Sequence, residues 1–389
     1  MVVFGVGITG CSDDAEDPCQ GRPSVYDGSK EIIGTGPAKL SDLECVAVVT
    51  GNLTIKYTDE ATLKPLAKLV DVMGDLQLGD RFYPDPDGFG FESLEGLEGL
   101  QQVGGNLSIE GLGGLGSIEA LQNLKRVGGD LTLTELPKLG SFKGLGSLET
   151  IHGGLDIDHI DRLVDLMTFE ALHSVDGDFS LKDNPQLTSA QFPRNPRIGG
   201  DIFISSNDAL TELSGFGTPV GIDQSLSVYE NANVEAITLP GSESNTKYSI
   251  SHNPKLQSIS EDWFGSQREG DLILTHLPSL THVKLSSWQL DRLQILSTGL
   301  ATLDDFSLPL VRCSLDVREN PSLTDISALQ QPASYGTSFT VTDNAALPTC
   351  KVQAIVSALL PSPWACDSTL GGGKRAVDVS GNDDTAVCP

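Results

Sequence analysis

The chain of 389 residues is poor in positive charge, and this shortage narrows the choice of partners. It has 25 lysines and arginines against 53 aspartates and glutamates, which gives a formal net charge of −28. A protein that binds nucleic acid neutralises phosphates with clusters of basic residues, and the sequence shows no such cluster. We therefore expect no nucleic-acid partner. The excess of acidic residues is typical of a soluble, self-repelling surface.

Long apolar runs and familiar catalytic motifs are also absent from the sequence. No run of apolar residues approaches the roughly 20 that a membrane-spanning helix needs. No glycine-rich phosphate loop, CxxC pair or Ser/His/Asp constellation stands out. These absences favour a non-catalytic protein, and we expect no cofactor.

What the sequence has in abundance is a repeated segment of about 24 residues. The stretch "GGDLTLTELPKLG" from Gly128 recurs as "GGNLSIEGLGGLG" from Gly104 and "GDFSLKDNPQLTS" from Gly177. We call the first apolar residue of each copy its anchor, and a second apolar residue follows two positions later, as in a strand with one buried face. Most anchors are 21 to 24 residues apart, and the fourteen are Leu53, Leu76, Leu107, Leu131, Leu155, Phe179, Ile202, Leu226, Tyr248, Leu272, Leu293, Leu315, Phe339 and Val377.

The remainder of each copy has an apolar residue at every third position. After Leu139, for example, come Phe142, Leu145, Leu148 and Ile151. A period of three suits tight turns and short 3₁₀ arcs. One copy cannot form a core alone, but copies stacked at the ~4.8 Å spacing of paired strands can. The sequence therefore predicts an all-β solenoid, a parallel β-helix-like coil of about 13–14 repeats.

A recurring asparagine supports the same alignment. It stands five residues after the anchor in seven copies, and several of these asparagines precede proline, as in "DNPQL" and "HNPKL". Asparagine tolerates tight turns, and stacked copies can bond one another. We expect an asparagine ladder along one corner of the coil, formed by Asn184, Asn207, Asn231, Asn253, Asn320, Asn344 and Asn382.

The strand "GxLxI", the turn "NPxL" and the period-three return resemble the receptor L-domain, a relative of leucine-rich repeats found in insulin- and growth-factor-type receptors. The resemblance covers residues 46 to 382 and implies a right-handed coil with parallel β-sheets. It implies ligand binding only as a class of function, because no kinase, furin-like or transmembrane segment is visible. The repeats, the lipoprotein-like "ITGC" that ends at Cys11 and the ending "SGNDDTAVC" also resemble exported repeat lipoproteins of predatory and social bacteria.

The N-terminus has the features of an export signal. Residues 1–10 are apolar and end in small residues before Cys11. The letters "ITGC" resemble the bacterial lipoprotein processing site, which implies that Cys11 is acylated; the alternative is that Cys11 forms a disulfide. Ser12 after the cysteine resembles the sorting pattern of the outer membrane. We expect an exported, lipid-anchored protein at the outer membrane or cell surface of a Gram-negative bacterium.

The cysteine count agrees with export. Seven cysteines leave one over after pairing, and acylation of Cys11 removes it. Disulfides at both ends of the array would restrain the coils that fray most readily. The candidate disulfide cysteines are Cys19, Cys45, Cys350, Cys366 and Cys388, with the pairing in the tail and the state of Cys313 left open. The predicted segments are an export signal (1–10), an acidic tether and cap (11–45), the solenoid (46–349) and a C-terminal cap with a short helix and the last coil (350–389). The helix is predicted from the amphipathic spacing of Val352, Ile355, Val356, Leu359 and Leu360, which Pro361 ends.

Two candidate cation sites carry weak signals. The loop around Asp85 and Asp87, "DPDGFG", resembles a calcium loop but lacks the downstream glutamate, so a solvated loop is favoured. His252 and His276 occupy the same position in adjacent coils without an evident third ligand. Stacked turn residues are the simpler interpretation, and we expect no metal.

Large apolar residues interrupt the outward strand positions in the middle of the array. These positions are mostly Thr, Ser or isolated Asp, without the paired carboxylates that a polysaccharide-cleaving β-helix needs. The exceptions are Phe203, Tyr229, Ile273 and Leu296, within five consecutive coils. A contiguous apolar patch on a polar wall marks an interface. We expect a recognition or adhesion protein that binds a protein or glycan there; the alternatives are a structural envelope protein and a β-helix polysaccharide enzyme.

Overall fold

The chain winds as a parallel β-solenoid of about 11 turns with a spacing of about 24 residues, which confirms the predicted all-β solenoid. The computed structural model describes residues 19–34, 36, 38–57, 62–81, 91–219, 224–241, 246–261, 268–286, 288–307, 310–330, 338–358 and 376–386. The right-handed winding stays a prediction.

One long sheet runs the length of the solenoid. It contains 15 parallel strands in chain order. They are β1 (Lys30–Ile33), β2 (Leu53–Lys56), β3 (Leu76–Gly79), β4 (Leu107–Glu110), β5 (Leu131–Thr134), β6 (Leu155–Asp158), β7 (Phe179–Lys182), β8 (Ile202–Ser205), β9 (Ser225–Tyr229), β10 (Thr246–Ser251), β11 (Arg268–Leu277), β12 (Trp288–Thr298), β13 (Leu310–Arg318), β14 (Ser338–Thr342) and β15 (Ala376–Asp378). Fourteen steps of ~4.8 Å give this sheet a length of about 70 Å.

The register of the long sheet follows the anchors. Every anchor pairs with the anchor of the next coil, as Leu131 does with Leu155. The sheet also has a strand that the apolar pattern did not predict, because Lys30 occupies the anchor position of β1 and pairs with Leu53. Its ammonium group is neutralised by Asp42 at 2.9 Å. The first strand thus lies within the segment 11–45 that the sequence assigned to the tether and cap.

The return half of each coil forms shorter sheets and 3₁₀ turns. A nine-stranded sheet contains Val25–Tyr26, Val48–Val49, Asp71–Val72, Gln102–Val103, Arg126–Val127, Thr150–Ile151, Ser174–Val175, Arg197–Ile198 and Thr218–Pro219. A four-stranded sheet (Glu212–Leu213, Ala236–Leu239, Ser258–Glu261, His282–Val283) and a two-stranded one (Leu285–Ser286, Phe306–Ser307) follow. The 3₁₀ helices are Leu40–Leu43, Lys64–Leu66, Glu119–Leu121 and Ser327–Gln330.

The core is one continuous column between the long sheet and the return segments. The period-three residues Phe142, Leu145, Leu148 and Ile151 are fully buried, as predicted. Rings from successive coils also stack along the axis, with 5.5 Å between the centroids of Phe142 and Phe169. Each coil therefore buries its apolar side chains against both neighbours, which a single copy could not do.

Two polar ladders hold the coils in register. The predicted asparagine ladder is present: Asn184 Nδ2 donates to Asn207 Oδ1, and Asn207 Nδ2 to Asn231 Oδ1. A second ladder, not predicted, uses the residue before the anchor, where Asn106 Oδ1 accepts the Asp130 backbone N–H at 2.8 Å. Glycine precedes these residues because a Cβ on Gly129 would lie 2.1 Å from Asn106 Oδ1.

The C-terminal end is closed by the helix that the spacing predicted, α1 (Thr349–Ala358). Val352 is fully buried and Ile355 is nearly so, because both face the last coils; Leu359 and Leu360, also assigned to this helix, lie outside the described residues. Among the described residues, none of the helices is long and apolar enough to cross a membrane.

The described cysteines are all oxidised. Cys19 and Cys45 form a disulfide at the N-terminal end, with their Cα atoms 5.3 Å apart. Cys313 is disulfide-bonded as well, and so is Cys350. Cys11, Cys366 and Cys388 lie outside the described residues, so the acylation of Cys11 stays a prediction.

Candidate functional site

The four apolar residues predicted as a binding patch form two separate pairs. Phe203 and Ile273 stand one residue after their anchors, with Ser227 and Ser249 between them in the register. Tyr229 and Leu296 stand three residues after their anchors. Phe203 is therefore a diagonal neighbour of Tyr229, and Ile273 of Leu296. All four side chains are half-buried on the outer face of the long sheet, so the protein's own loops do not bury them.

Phe203 lies at one end of a groove on this face. The groove has a volume of about 510 Å³ and crosses strands β5 to β8. It follows the outward positions of consecutive strands, because Thr132 pairs with Asp156, Asp156 with Ser180, and Ser180 with Phe203. The residues that line it are Asp130, Thr132, Gly153, Gly154, Leu155, Asp156, Gly177, Asp178, Ser180, Lys182 and Phe203.

Two oxygen atoms in the groove lack hydrogen-bond partners. Asp156 Oδ1 and Ser180 Oγ are buried, and within the described part of the chain nothing donates to or accepts from them. Ser180 as a whole is only 9 % exposed. A buried polar group without a partner costs about 1–3 kcal/mol. A ligand that bonds to both atoms would recover that cost.

The other carboxylates at the groove are already engaged by the backbone. Asp130 Oδ1 accepts the Gly154 N–H at 2.7 Å, and Asp178 Oδ1 accepts the Asp201 N–H at 2.7 Å. Both belong to the second ladder and hold the coils together. Asp156 is thus the carboxylate that the groove leaves available to a ligand.

Charge and aromatic groups complete the groove. The Lys182 ammonium lies 5.8 Å from the centre of the Phe203 ring, within the range of a cation–π contact. Lys182 pairs in register with Asp158 on β6. Burial raises the pKa of the Glu110 carboxyl, which lies on β4 next to the groove strands. The negative charge of Asp156 adds a smaller part of this rise. The groove therefore presents a hydroxyl, a carboxylate, an ammonium group and a ring within four strands.

Of the two weak cation signals from the sequence, the histidine pair lies within the described residues. The rings of His252 and His276 are exposed and stack with their centroids 4.4 Å apart, and no group of three ligands forms around them in the described ranges. The two rings stack on each other at the turn, and the absence of a metal there stays a prediction. Asp85 and Asp87 lie outside the described residues.

Sequence reasoning identified Phe203 but missed the rest of the groove. The repeat places Asp156 and Ser180 at the outward position of neighbouring coils, yet nothing in the repeat pattern marks their oxygens as unpaired. Lys182 was not identified, although its position three residues after an anchor could have placed it on the same face as Phe203.

Comparisons with models of known protein families, with curated proteins and with solved structures find no match to this chain.

Proposed function

We propose that this protein is a non-catalytic recognition protein that binds a neutral glycan in the groove on the outer face of its long sheet. The observation that carries the proposal is the pair of buried, unpartnered oxygens, Asp156 Oδ1 and Ser180 Oγ. A sugar hydroxyl both donates and accepts hydrogen bonds. One ligand hydroxyl can donate to the carboxylate and a second can bond to the serine, which removes both penalties.

The remaining groups of the groove fit the same class of ligand. The Phe203 ring offers an apolar surface to the C–H face of a sugar, and Lys182 supplies a further donor. A net charge of −28 disfavours anionic ligands at long range. The resemblance to the receptor L-domain, whose members bind ligands, supports recognition as a class of function.

We also propose that the protein is exported and anchored at the outer membrane or cell surface of a Gram-negative bacterium through lipid on Cys11. The oxidised state of all four described cysteines supports export, because disulfides persist in oxidising compartments. The lipoprotein-like sequence around Cys11 supports the anchor.

A neutral-glycan array probed with the purified protein tests the function, followed by affinity measurements on Ser180→Ala and Asp156→Asn. We expect each variant to bind its glycan at least tenfold more weakly. Ser180→Ala should also raise the free energy of unfolding by up to about 1 kcal/mol, because it removes a buried hydroxyl without a partner. Lower affinity together with higher stability is the mark of a ligand-binding oxygen.

Ser249→Ala is the matched control, because Ser249 has the same outward position three strands further along, outside the groove. Its glycan affinity should equal that of the unmodified protein. An array without binding contradicts the proposal, and capture of a protein ligand that depends on Phe203 and Tyr229 would replace it with protein recognition. Retention of full glycan affinity by both groove variants would move the site elsewhere.

A further inference from the structure

A second cluster of ligating side chains lies beside the groove, at the corner where the long sheet ends. Asp158 is the last residue of β6, His159 follows it, and Asp183 occupies the place of His159 one coil later. The ligand atoms of these three side chains all lie within 4.8 Å of one another, and within the described ranges they are the only such group of three. His159 Nδ1 is 2.6 Å from Asp158 Oδ1, so the imidazole and the carboxylate are hydrogen-bonded.

The backbone holds two of these side chains outward. His159 has a φ of 53° and Asp183 a φ of 50°, in the left-handed region that costs a side-chain-bearing residue about 1 kcal/mol or more. Neighbouring coils repeat this conformation at the same place, for example at Glu135 with a φ of 55°. Glu135, His159 and Asp183 therefore form one column along the corner, at the ~4.8 Å spacing of the coils.

Independent evidence comes from the coil before the cluster. Thr134 pairs in register with Asp158 on the same face of the sheet, and the N–H of Glu135 donates to the Asp158 carbonyl oxygen. Thr134 is fully buried. Its Oγ1 atom and Glu135 Oε2 are both buried, and the described residues offer neither of them a hydrogen-bond partner. Unpaired oxygen atoms thus flank the cluster on the side opposite Asp183.

We propose that Asp158, His159 and Asp183 bind a divalent transition-metal ion of the zinc type, beside the unpaired oxygens of Glu135 and Thr134. A set of one imidazole nitrogen and several carboxylate oxygens suits Zn²⁺. Ca²⁺ and Mg²⁺ instead prefer oxygen ligands alone. The ion would take the place of the hydrogen bond between Asp158 and His159, and the neutral imidazole would bind it through Nδ1 with its proton on Nε2.

The site is separate from the proposed glycan groove, although it lies close to it. Asp158 pairs in register with Lys182, which lines the groove, while none of the three ligands lines the groove itself. Metal binding can therefore be measured without a glycan, and its failure would leave the proposed function standing.

Calorimetric titration of the chelator-stripped, full-length protein with ZnCl₂ and with CaCl₂ tests the proposal. We expect one Zn²⁺ per chain and at least 100-fold weaker binding of Ca²⁺. His159→Asn, which keeps a residue tolerant of left-handed φ, should lower zinc affinity at least tenfold. Asp183→Asn should do the same.

His252→Asn is the matched control, since His252 lies in the same column with a φ of 53° and stacks on a second histidine. It should bind zinc as the unmodified protein does, and all three variants should keep the melting temperature of the metal-free protein. The proposal is overturned if His159→Asn and Asp183→Asn retain full zinc affinity, if His252→Asn alone loses it, or if Ca²⁺ binds as tightly as Zn²⁺.

Discussion

At the residue scale, the buried asparagines of the first ladder form hydrogen bonds to backbone groups of their own and neighbouring coils. Asn207 is fully buried. Its Nδ2 donates to the carbonyl oxygens of Leu181 and Ser205, and its Oδ1 accepts the N–H of Asn184. One side chain thus bonds three backbone groups on two consecutive coils. A buried corner of tight turns would otherwise leave backbone groups unpaired.

Asn207→Ala should therefore lower the free energy of unfolding by about 3 kcal/mol, because the Asn184 N–H and the Leu181 carbonyl oxygen lose their bonds to this side chain at about 1–3 kcal/mol each. The Ser205 carbonyl oxygen still accepts the Asp183 N–H. Urea unfolding followed by circular dichroism measures this loss. Asn123→Ala is the control: Asn123 is exposed and donates one hydrogen bond, to the Glu98 carbonyl oxygen, so its loss should stay below about 1 kcal/mol. Equal losses for the two variants would contradict the role of the ladder.

At the scale of elements, helix α1 is fixed to the last coils by an ion pair as well as by its apolar face. Lys351 Nζ contacts the Asp325 carboxylate and the Thr324 carbonyl oxygen. Burial by itself would raise the pKa of Asp325, but hydrogen bonds from Lys351 and Ser327 outweigh it and lower the pKa to about 2. Both partners are partly exposed, with side-chain exposures of 39 % and 27 %, so solvent weakens the pair.

This depressed pKa predicts a specific pH dependence. The folded-state pKa lies below the ordinary value of 3.8, so the pair stabilises the fold above pH 4 and loses this contribution as the pH falls towards 2. Lys351→Met should lower the free energy of unfolding by about 0.5–1 kcal/mol at pH 7. The difference from the unmodified protein should shrink between pH 4 and pH 2.

Urea unfolding at several pH values measures this difference. Lys143→Met serves as the control, because the pair of Lys143 with Glu119 is largely exposed, and its effect should be small at every pH. A Lys351→Met effect that stays constant down to pH 2 would contradict the assignment to Asp325.

At the scale of the whole molecule, the structure is a long, acidic rod with oxidised cysteines near both ends. The long sheet has 15 strands, and the chain carries a net charge of −28. Such a rod exposes its outer sheet face along the whole length, and an anchor at the N-terminus would hold that face away from the membrane. The groove on β5 to β8 would then lie several coils from the anchored end.

The anchor can be tested in a Gram-negative host. We expect the protein to partition into the membrane fraction and to incorporate labelled fatty acid. Cys11→Ser should move it to the soluble exported fraction, because a non-acylated chain has no other predicted attachment. Cys19→Ser, which breaks the N-terminal disulfide, should leave the protein in the membrane fraction. Membrane retention of Cys11→Ser would show that lipid on Cys11 is not the anchor.

The sequence by itself determined the repeat, the anchors and the first ladder. These features are local to one coil. Leu131 is the first inward residue of its own strand, and Asn207 closes a turn within its own coil. The pattern missed β1, because Lys30 replaces the apolar anchor at the open end of the sheet, where its ammonium group reaches Asp42. The C-terminal helix was predicted because its apolar spacing is equally local.

Only the tertiary structure decided which outward side chains meet. Phe203, Ser180 and Asp156 are about 23 residues apart in sequence, and only the register of consecutive coils places them side by side. The residue types do not predict the left-handed backbone conformation that follows the strands, because residues as different as His159 and Asp183 both adopt it. Whether a buried oxygen finds a partner depends on every neighbouring coil at once. For this reason the groove and the cluster of Asp158, His159 and Asp183 emerged from packing, whereas the solenoid followed from the repeat.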